Sequence, residues 1–167
     1  MKKYTFIIFI SLLLVACQVQ FKMNGASIDY TKIKTITITD FPNQAALVYS
    51  PLSQNFNEAL KDIFTRQTRL SFVPRNGDLQ IEGEITGYDL APMSIQSDNY
   101  AAETKLTVTI KVRFTNNKDH NQDFETSLSA YQTFPSSKLL TEVQDELITE
   151  IIKELTETIY NKTVANW

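Results

Sequence analysis

The chain has 167 residues, with 16 basic and 19 acidic side chains and a formal net charge of −3. This balance lacks the excess of positive charge with which proteins bind nucleic acid, so that class of partner is disfavoured. With one cysteine the chain has no internal disulfide, and at a length suited to one domain an ordinary apolar core must hold the fold together.

The first sixteen residues have the pattern of a secretory signal peptide. Lys2 and Lys3 are followed by residues 4–15, which are apolar apart from Thr5 and Ser11, and then by the small residue Ala16. The apolar run is about a dozen residues long, whereas a helix that spans a bilayer needs roughly 20. The sequence therefore predicts an export signal rather than a transmembrane anchor.

The only cysteine, Cys17, follows this signal directly. Leu14-Val15-Ala16-Cys17 resembles the bacterial lipobox, which implies a diacylglycerol on the Cys17 sulfur, cleavage before Cys17 and further acylation of the new amino group. Stable anchoring does require more than one acyl chain. The alternative is an ordinary signal peptide that leaves an unpaired cysteine. We predict a signal peptide over 1–16, a lipidated linker over 17–30 and one domain over 31–167; the mature chain then has 14 basic and 19 acidic residues, near −5.

The first elements of the domain are a strand and a helix. Residues 33–40 alternate, with Ile36 and Ile38 on one face, and a breaker cluster follows at residues 41–43. A helix then begins, with Ser50 as N-cap and Pro51 at the first helical position. Its apolar residues recur every four positions at Leu52, Phe56, Leu60 and Phe64, as expected for an amphipathic helix.

The stretches that follow this helix have strand patterns or turn chemistry. Residues 70–73 are a short apolar piece, and residues 74–77 form a turn. Residues 78–90 alternate, with Gly83 and Gly87 predicted on the inner face, where they would let a helix come close, and Tyr88 on the outer face. Residues 105–115 alternate in the same way, and after a polar turn a third strand carries its apolar residues at Phe124, Leu128, Ala130 and Phe134.

The last element is a long helix over 137–163, with one apolar stripe from Leu140 to Ile159 opposite a row of charged residues. Each helix and each strand has a single apolar face. We therefore predict an α+β fold: a two-layer sandwich in which two helices pack on one face of a mostly antiparallel four- to five-stranded sheet.

The sequence offers no convincing catalytic or metal-binding motif. Asp119, His120 and Asp123 could be imagined as metal ligands, but a hydrophilic hairpin turn has the same composition. Glu82 and Glu84 share a strand face and could form a glycosidase pair, although alternation places glutamates on one solvated face routinely. We predict that the protein is not an enzyme and that it needs no cofactor or metal.

The order of elements behind a lipobox is similar to that of the LptE family, the small lipoproteins of lipopolysaccharide assembly. The resemblance is carried by "GASI" at 25–28, "FNEALKDIFTRQT" at 56–68, "GDLQIEGEITGY" at 77–88 and the closing "NKTVANW". It covers essentially the whole mature chain, and its specificity comes from the order and spacing of these pieces.

This resemblance implies a role at the periplasmic leaflet of the outer membrane. LptE-type proteins insert into the lumen of the large β-barrel LptD, plug it, help it fold and are thought to contact lipopolysaccharide. Lys105, Lys111 and Arg113 form a cationic stripe on the outer sheet face that could meet lipid A phosphates. Alternatively, these three residues simply pair with Glu82 and Glu84 on the neighbouring strand.

A second hypothesis is a lipid-anchored periplasmic adapter, such as a pilot for another outer-membrane protein, or a binder displayed at the surface. Residues 18–24 carry no acidic cluster of the kind that resembles a surface-export signal, and Gln18 after the cysteine resembles outer-membrane sorting. Both features favour the periplasmic side.

Overall fold

The structure is a computed structural model that describes residues 28–47, 49–93 and 102–165. The predicted signal peptide over 1–16, Cys17 and nearly all of the predicted linker lie outside these residues, as do Asn166 and Trp167 of the closing motif. The described elements are two helices and five strands: β1 Thr35–Ile38, α1 Pro51–Gln67, β2 Ser71–Phe72, β3 Leu79–Pro92, β4 Glu103–Asn116, β5 Phe124–Pro135 and α2 Leu140–Thr163.

The five strands form one mixed sheet in the order β2-β1-β3-β4-β5. The three long strands are an antiparallel meander, while the short strand β1 pairs in parallel with both β2 and β3. The predicted α+β class and the strand number are confirmed, and most of the paired length is antiparallel. The parallel pairs arise because α1 carries the chain from β1 to β2, which is the connection that parallel neighbours require.

Both helices contribute to one apolar core against a single face of the sheet, as predicted. Leu52, Phe56, Leu60 and Phe64 of α1 are fully buried. The apolar stripe of α2 is buried from Ile148 to Ile159, and alternate residues of the strands complete the core. The prediction of a two-layer sandwich is therefore correct.

The two helices run in the same direction. Near their first turns the Tyr49 hydroxyl contacts the Asp145 carboxylate, and near their last turns the Tyr160 hydroxyl donates to the Gln67 carbonyl at 3.4 Å. The N-termini of both helices therefore lie at one end of the domain and their C-termini at the other.

Ser50 lies at the N-cap position of α1, as predicted, but its side chain does not cap the helix. Ser50 has helical backbone angles, φ −54° and ψ −39°, and its side chain makes no capping hydrogen bond. An N-capping serine normally adopts extended angles, from which its hydroxyl reaches back to the amides of the first turn. Pro51 does occupy the start of the helix, where its missing N–H costs nothing.

A β-bulge in β3 makes two of the face assignments wrong. The pairing with β4 shifts between Ile85 and Gly87, so Thr86 has no partner of its own. Beyond the bulge Gly87 lies opposite Thr109 on the outer face, and Tyr88 lies opposite Val108 and is 5% exposed. The regular alternation of the sequence predicts the opposite face for each residue. It fails here because a bulge adds one residue and inverts every later position of a strand with period two.

Gly83 is on the inner face as predicted, but it makes room for an aromatic ring and not for a helix. A Cβ atom built on Gly83 would lie 2.4 Å from Cε1 of Phe41 and 2.1 Å from the carbonyl oxygen of Lys111. Phe41, placed by the sequence in a breaker cluster, is completely buried and packs against Phe56 with 5.1 Å between ring centroids.

The glycine positions give the first test. We expect Gly83→Ala to lower the free energy of unfolding by about 1–3 kcal/mol, because overpacking a filled interior displaces its neighbours. Gly87→Ala is the matched control: its Cβ would approach the flexible Asp89 carboxylate to 3.0 Å, and its cost should stay within about 0.5 kcal/mol. Urea midpoints measure both, and equal midpoints would contradict the packing of Phe41 on Gly83.

Candidate functional site

The outer face of the meander is the largest polar surface that the sheet presents. We call it the polar sheet face and define it by the outward residues of β3, β4 and β5: Gln80, Glu82, Glu84, Lys105, Thr107, Thr109, Lys111, Arg113, Glu125, Ser127, Ser129 and Tyr131. Hydroxyl groups also bond across this face, since the Thr109 and Ser129 oxygens lie 2.9 Å apart. No helix of the described core covers it.

The charges at one end of the polar sheet face form a connected ion-pair cluster across three strands. Arg113 Nη1 lies 3.0 Å from Glu82 Oε1, and Arg113 Nε lies 3.0 Å from Glu125 Oε2. Lys111 Nζ lies 2.6 Å from Glu125 Oε1. The register produces this arrangement, because Arg113 lies directly between Glu82 on β3 and Glu125 on β5.

Glu125 is the hub of the cluster. Its hydrogen bonds with Lys111 and then with Arg113 hold the pKa of its carboxyl group below the usual value, against a smaller opposing effect of desolvation. The Glu125 side chain is 41% exposed, so the cluster contributes little to stability even though it fixes the positions of four charges.

The predicted cationic stripe is therefore divided into two parts. Lys111 and Arg113 are engaged by carboxylates, as the pairing alternative proposed, although Glu125 takes the place assigned to Glu84. Lys105 pairs with neither predicted glutamate; its ammonium lies 5.3 Å from the ring centroid of Tyr131, a cation–π contact.

The ion-pair cluster borders an open cleft of about 480 Å³, whose other walls come from the segment that follows β1. The lining residues are Thr39, Asp40, Pro42, Glu82, Gly83, Glu84, Lys111, Arg113 and Glu125. Four of these residues are acidic and two are basic, and the ion-pair cluster accounts for Glu82, Glu125, Lys111 and Arg113. Glu84 has no ion pair among the described residues, so the cleft keeps acidic groups that a polar or basic partner surface would contact.

The remaining candidates for chemistry have structural roles. His120 and Asp123 are 2.9 Å apart in an exposed turn, and the other Asp123 carboxylate oxygen accepts from the Asn116 amide. Asp119 accepts from the Asn121 amide in the same turn. Within residues 28–47, 49–93 and 102–165, no group of three or more His, Cys, Asp or Glu is placed to hold a metal ion.

Glu125 is the functional candidate that the sequence reasoning missed. The sequence pattern could have indicated it. If the polar turn after β4 closes a hairpin with Phe114 opposite Phe124, then Arg113 must lie opposite Glu125. None of the described helices is both long and apolar enough to cross a membrane.

Glu125 allows a test of the cluster through pH. Because its pKa is lowered in the folded chain, the ionised carboxylate contributes stability above the unfolded pKa, and this contribution is lost as pH falls through the folded pKa. We expect Glu125→Gln to be less stable than the wild type at neutral pH, with the difference vanishing in acid. Urea unfolding across the acid range measures it.

Glu84→Gln is the control for this test, because Glu84 is a glutamate on the same face of the sheet but has no ion pair among the described residues. If both variants showed the same pH dependence, general charge repulsion would explain it and the cluster would not.

Several solved structures have a fold similar to that of this chain. Similar solved structures include a minor lipoprotein from Acinetobacter baumannii, with 14% identity and a TM-score of 0.52 over 80% of this chain and 94% of that chain. The hypothetical protein CT253 from Chlamydia trachomatis has 8% identity and a TM-score of 0.53 over 80% of this chain and 99% of that one. Protein XCC0632 from Xanthomonas campestris has 11% identity and a TM-score of 0.52 over 79% and 84%.

These identities are low, so the structural neighbours establish the fold alone. No curated protein sequence matches the chain. The family comparison is more specific: the sequence model for LptE, described as lipopolysaccharide-assembly, matches residues 33–163, which include every described helix and strand. The chain therefore belongs to the LptE family of lipopolysaccharide-assembly proteins.

Proposed function

We propose that this protein is a lipid-anchored lipoprotein on the periplasmic leaflet of the outer membrane, where it plugs an LptD-type β-barrel and assists its assembly. The observation that carries the proposal is the family match over residues 33–163. The proposed role requires a surface that fits the barrel and no chemical reaction, as expected of a family described as lipopolysaccharide-assembly.

The polar sheet face supports a place inside a barrel lumen. The interior of a large outer-membrane barrel is polar, so a partner that enters it must not bring apolar surface or unpaired charge. On the polar sheet face Glu82, Glu125, Lys111 and Arg113 neutralise one another before any partner arrives. Contact with a polar wall then leaves these four charges paired, and the wall has to satisfy only Glu84 and Lys105, which have no ion pair among the described residues.

One end of the domain supports a second kind of contact. Leu47, Leu90, Met93 and Leu139 are 54%, 40%, 44% and 67% exposed, and all lie at the end where both helices begin. Single exposed apolar residues are normal, but several at one end are typical of a surface that meets another protein. We propose that this apolar end contacts the barrel protein.

Among the three residues predicted to contact lipopolysaccharide, Lys105 is the best supported. A lipid A phosphate that approached Lys111 or Arg113 would have to displace Glu125 or Glu82, which already engage them at 2.6–3.0 Å. Lys105 has no carboxylate partner among the described residues, and its contact with the Tyr131 ring leaves hydrogen-bond donors for a phosphate. Of the three predicted ligand-binding residues, the proposal therefore retains Lys105.

Depletion tests the barrel role. We expect loss of this protein to leave the organism's LptD-type barrel misassembled and to raise permeability to bulky apolar antibiotics, because an unplugged or misfolded barrel breaks the lipopolysaccharide barrier. Heat-modifiable migration of the barrel and antibiotic sensitivity measure the two effects. An intact barrel and an intact barrier after depletion would favour the lipid-anchored adapter instead.

Copurification tests the apolar end. We expect the double variant Leu90→Ser with Leu139→Ser to copurify with less of the barrel protein than the wild type does, because it has less exposed apolar surface at this end. Phe72→Ser is the matched control, because Phe72 is 41% exposed but lies on the edge strand β2, away from that end. Equal losses in both variants would remove the apolar end from the proposal.

The anchor has its own test, because the thiol of Cys17 is the only group in the chain that can take the thioether-linked lipid. We expect Cys17→Ser to abolish incorporation of a fatty-acid analogue and to leave the uncleaved precursor. Metabolic labelling followed by gel electrophoresis measures both, and equal labelling of the variant and the wild type would contradict lipidation at Cys17.

A further inference from the structure

The edge strand β2 leaves part of the apolar core uncovered. Phe72 lies beside Ile36 in the parallel pair of β2 with β1, so both side chains point to the inner face of the sheet. Ile36 is completely buried, but Phe72 is 41% exposed. The packing that buries β1 therefore does not extend to the edge of the sheet.

An open cleft of about 420 Å³ lies between this edge of the sheet and α1. Its lining residues are Ile38, Lys61, Thr65, Phe72, Val73 and Pro74. Four of these six residues are apolar, and the ammonium group of Lys61 already lies 2.6 Å from the Asp40 carboxylate. The cleft is therefore a gap with a mainly apolar wall, of the kind that one more strand at the edge would close.

The backbone of β2 also has hydrogen-bonding groups on this side. The Ser71 amide donates to the Lys34 carbonyl and the Val73 amide donates to the Ile36 carbonyl, each at 2.9 Å. Because successive residues of a strand point their N–H and C=O groups to opposite sides, those of Phe72 point away from β1. β2 is the last strand of the described sheet on that side, so no described strand meets them. The edge thus offers hydrogen bonds as well as apolar surface.

The segment that precedes the described chain has the sequence pattern of such a strand. Residues 18–24, "QVQFKMN", alternate strictly, with the apolar residues Val19, Phe21 and Met23 separated by polar ones. Asn24-Gly25, a dipeptide typical of tight turns, comes at the end of this stretch. We propose that residues 18–24 pair with β2 as a sixth strand and close the core at this edge.

The place where the chain enters the domain selects β2 over the other edge of the sheet. The Tyr30 hydroxyl accepts from the Arg69 amide at 3.3 Å, so the entry segment lies beside the start of β2. Residues 25–27 allow at most about 14 Å between Asn24 and Ile28. The strand at the opposite edge, β5, is four strand spacings from β2, or about 19 Å. The segment therefore reaches β2 but not β5.

Chain direction and side-chain pattern define the register of the added strand. The segment runs towards the end of the domain where β1 and β2 begin, so its pairing with β2 is antiparallel. Phe21 then lies opposite Phe72, and aromatic pairs across neighbouring strands are stabilising. Met23 lies opposite Leu70, which is 7% exposed. A slip by one residue would turn every apolar side chain of the segment to the polar face, so the pattern specifies this register.

The added strand would fix the height at which the lipid is attached to the domain. In this register Val19 lies level with Ile81, and Cys17 lies two residues further along, level with Gly83. Pro92 is nine positions beyond Gly83 on β3, or about 30 Å. This distance matches the hydrocarbon thickness of a bilayer, about 30 Å. If Cys17 carries the proposed lipid, an upright meander extends from the leaflet by the depth of the membrane, as insertion into a barrel requires; this consequence rests on the proposed function, whereas the strand itself does not.

A pair of cysteines tests the strand in the full exported chain, purified in detergent without the barrel protein. In the proposed register Lys22 and Ser71 form a non-hydrogen-bonded pair on the outer face, where opposite Cα atoms lie about 4.5 Å apart. That separation is within the range of a disulfide. We expect Lys22→Cys with Ser71→Cys to form an intramolecular disulfide on oxidation, because neither change removes an apolar contact. Peptide mass mapping identifies the joined residues, whether or not Cys17 carries lipid.

The matched control is Lys22→Cys with Ser127→Cys, because Ser127 is an exposed serine on the outer face of the other edge strand, β5. It should give little intramolecular disulfide. Adding Phe21→Ser to the first pair should abolish the disulfide, since it removes the ring that covers Phe72, whereas adding Gln20→Ser should preserve it. Hydrogen exchange gives a second measurement: the Phe72 amide should exchange about tenfold more slowly in the wild type than in Phe21→Ser.

Several results would overturn the proposal. These are equal disulfide yields from the Ser71 and Ser127 pairs, no disulfide in either, or equal yields after Phe21→Ser and Gln20→Ser. A disulfide between two chains would overturn it too, by assigning the edge of β2 to a second copy. None of these outcomes depends on lipidation or on barrel assembly, so they are distinct from failure of the proposed function.

Discussion

The fold depends on how Phe41 is held where the chain leaves β1. Its ring fills the space above Gly83, and its backbone is fixed from α1: the Phe41 amide donates to Asn57 Oδ1 at 2.8 Å, and its carbonyl accepts from Ser53 Oγ at 2.6 Å. The chain then rejoins β3 through the hydrogen bonds of Pro42 and Gln44 with Ile85. One buried residue therefore connects the parallel part of the sheet, the meander and the first helix, and the nearly buried Asn57 is satisfied by the same contact.

Where the chain keeps a regular period, the sequence was sufficient to predict the structure. The alternation from Leu106 to Phe114 and the four-residue spacing from Leu52 to Phe64 each have one buried face, and packing follows the pattern. Prediction fails where a single residue breaks the period, as Thr86 does, or where a residue outside any element enters the core, as Phe41 does. Glu125 escaped prediction for a related reason: it becomes the partner of Arg113 only once the β4–β5 register is known.

The direction of the helices gives the domain two unlike ends. Because α1 and α2 run parallel, their dipoles add, with the positive ends beside Glu142 and Asp145 and the negative ends beside Arg66 and Lys162. The same arrangement places apolar residues such as Leu139 at one end and the entry of the chain at the other. The polar sheet face lies between these ends and carries charges that are already paired. The two ends and the polar sheet face therefore differ from one another in charge and in polarity.

The position of β1 between β2 and β3 has a consequence for how the chain acquires its structure. The meander joins neighbours in sequence, but the pairing of Ile36 with Leu79 closes a long loop that contains all of α1. Such distant pairs form late, because the entropy of the intervening chain is lost before the contact is gained. During synthesis, β1, α1 and β2 emerge before the strand that completes their sheet. The apolar side chains of Ile36, Phe56 and Phe64 therefore remain exposed until β3 pairs, and in this interval the new chain most needs protection from aggregation.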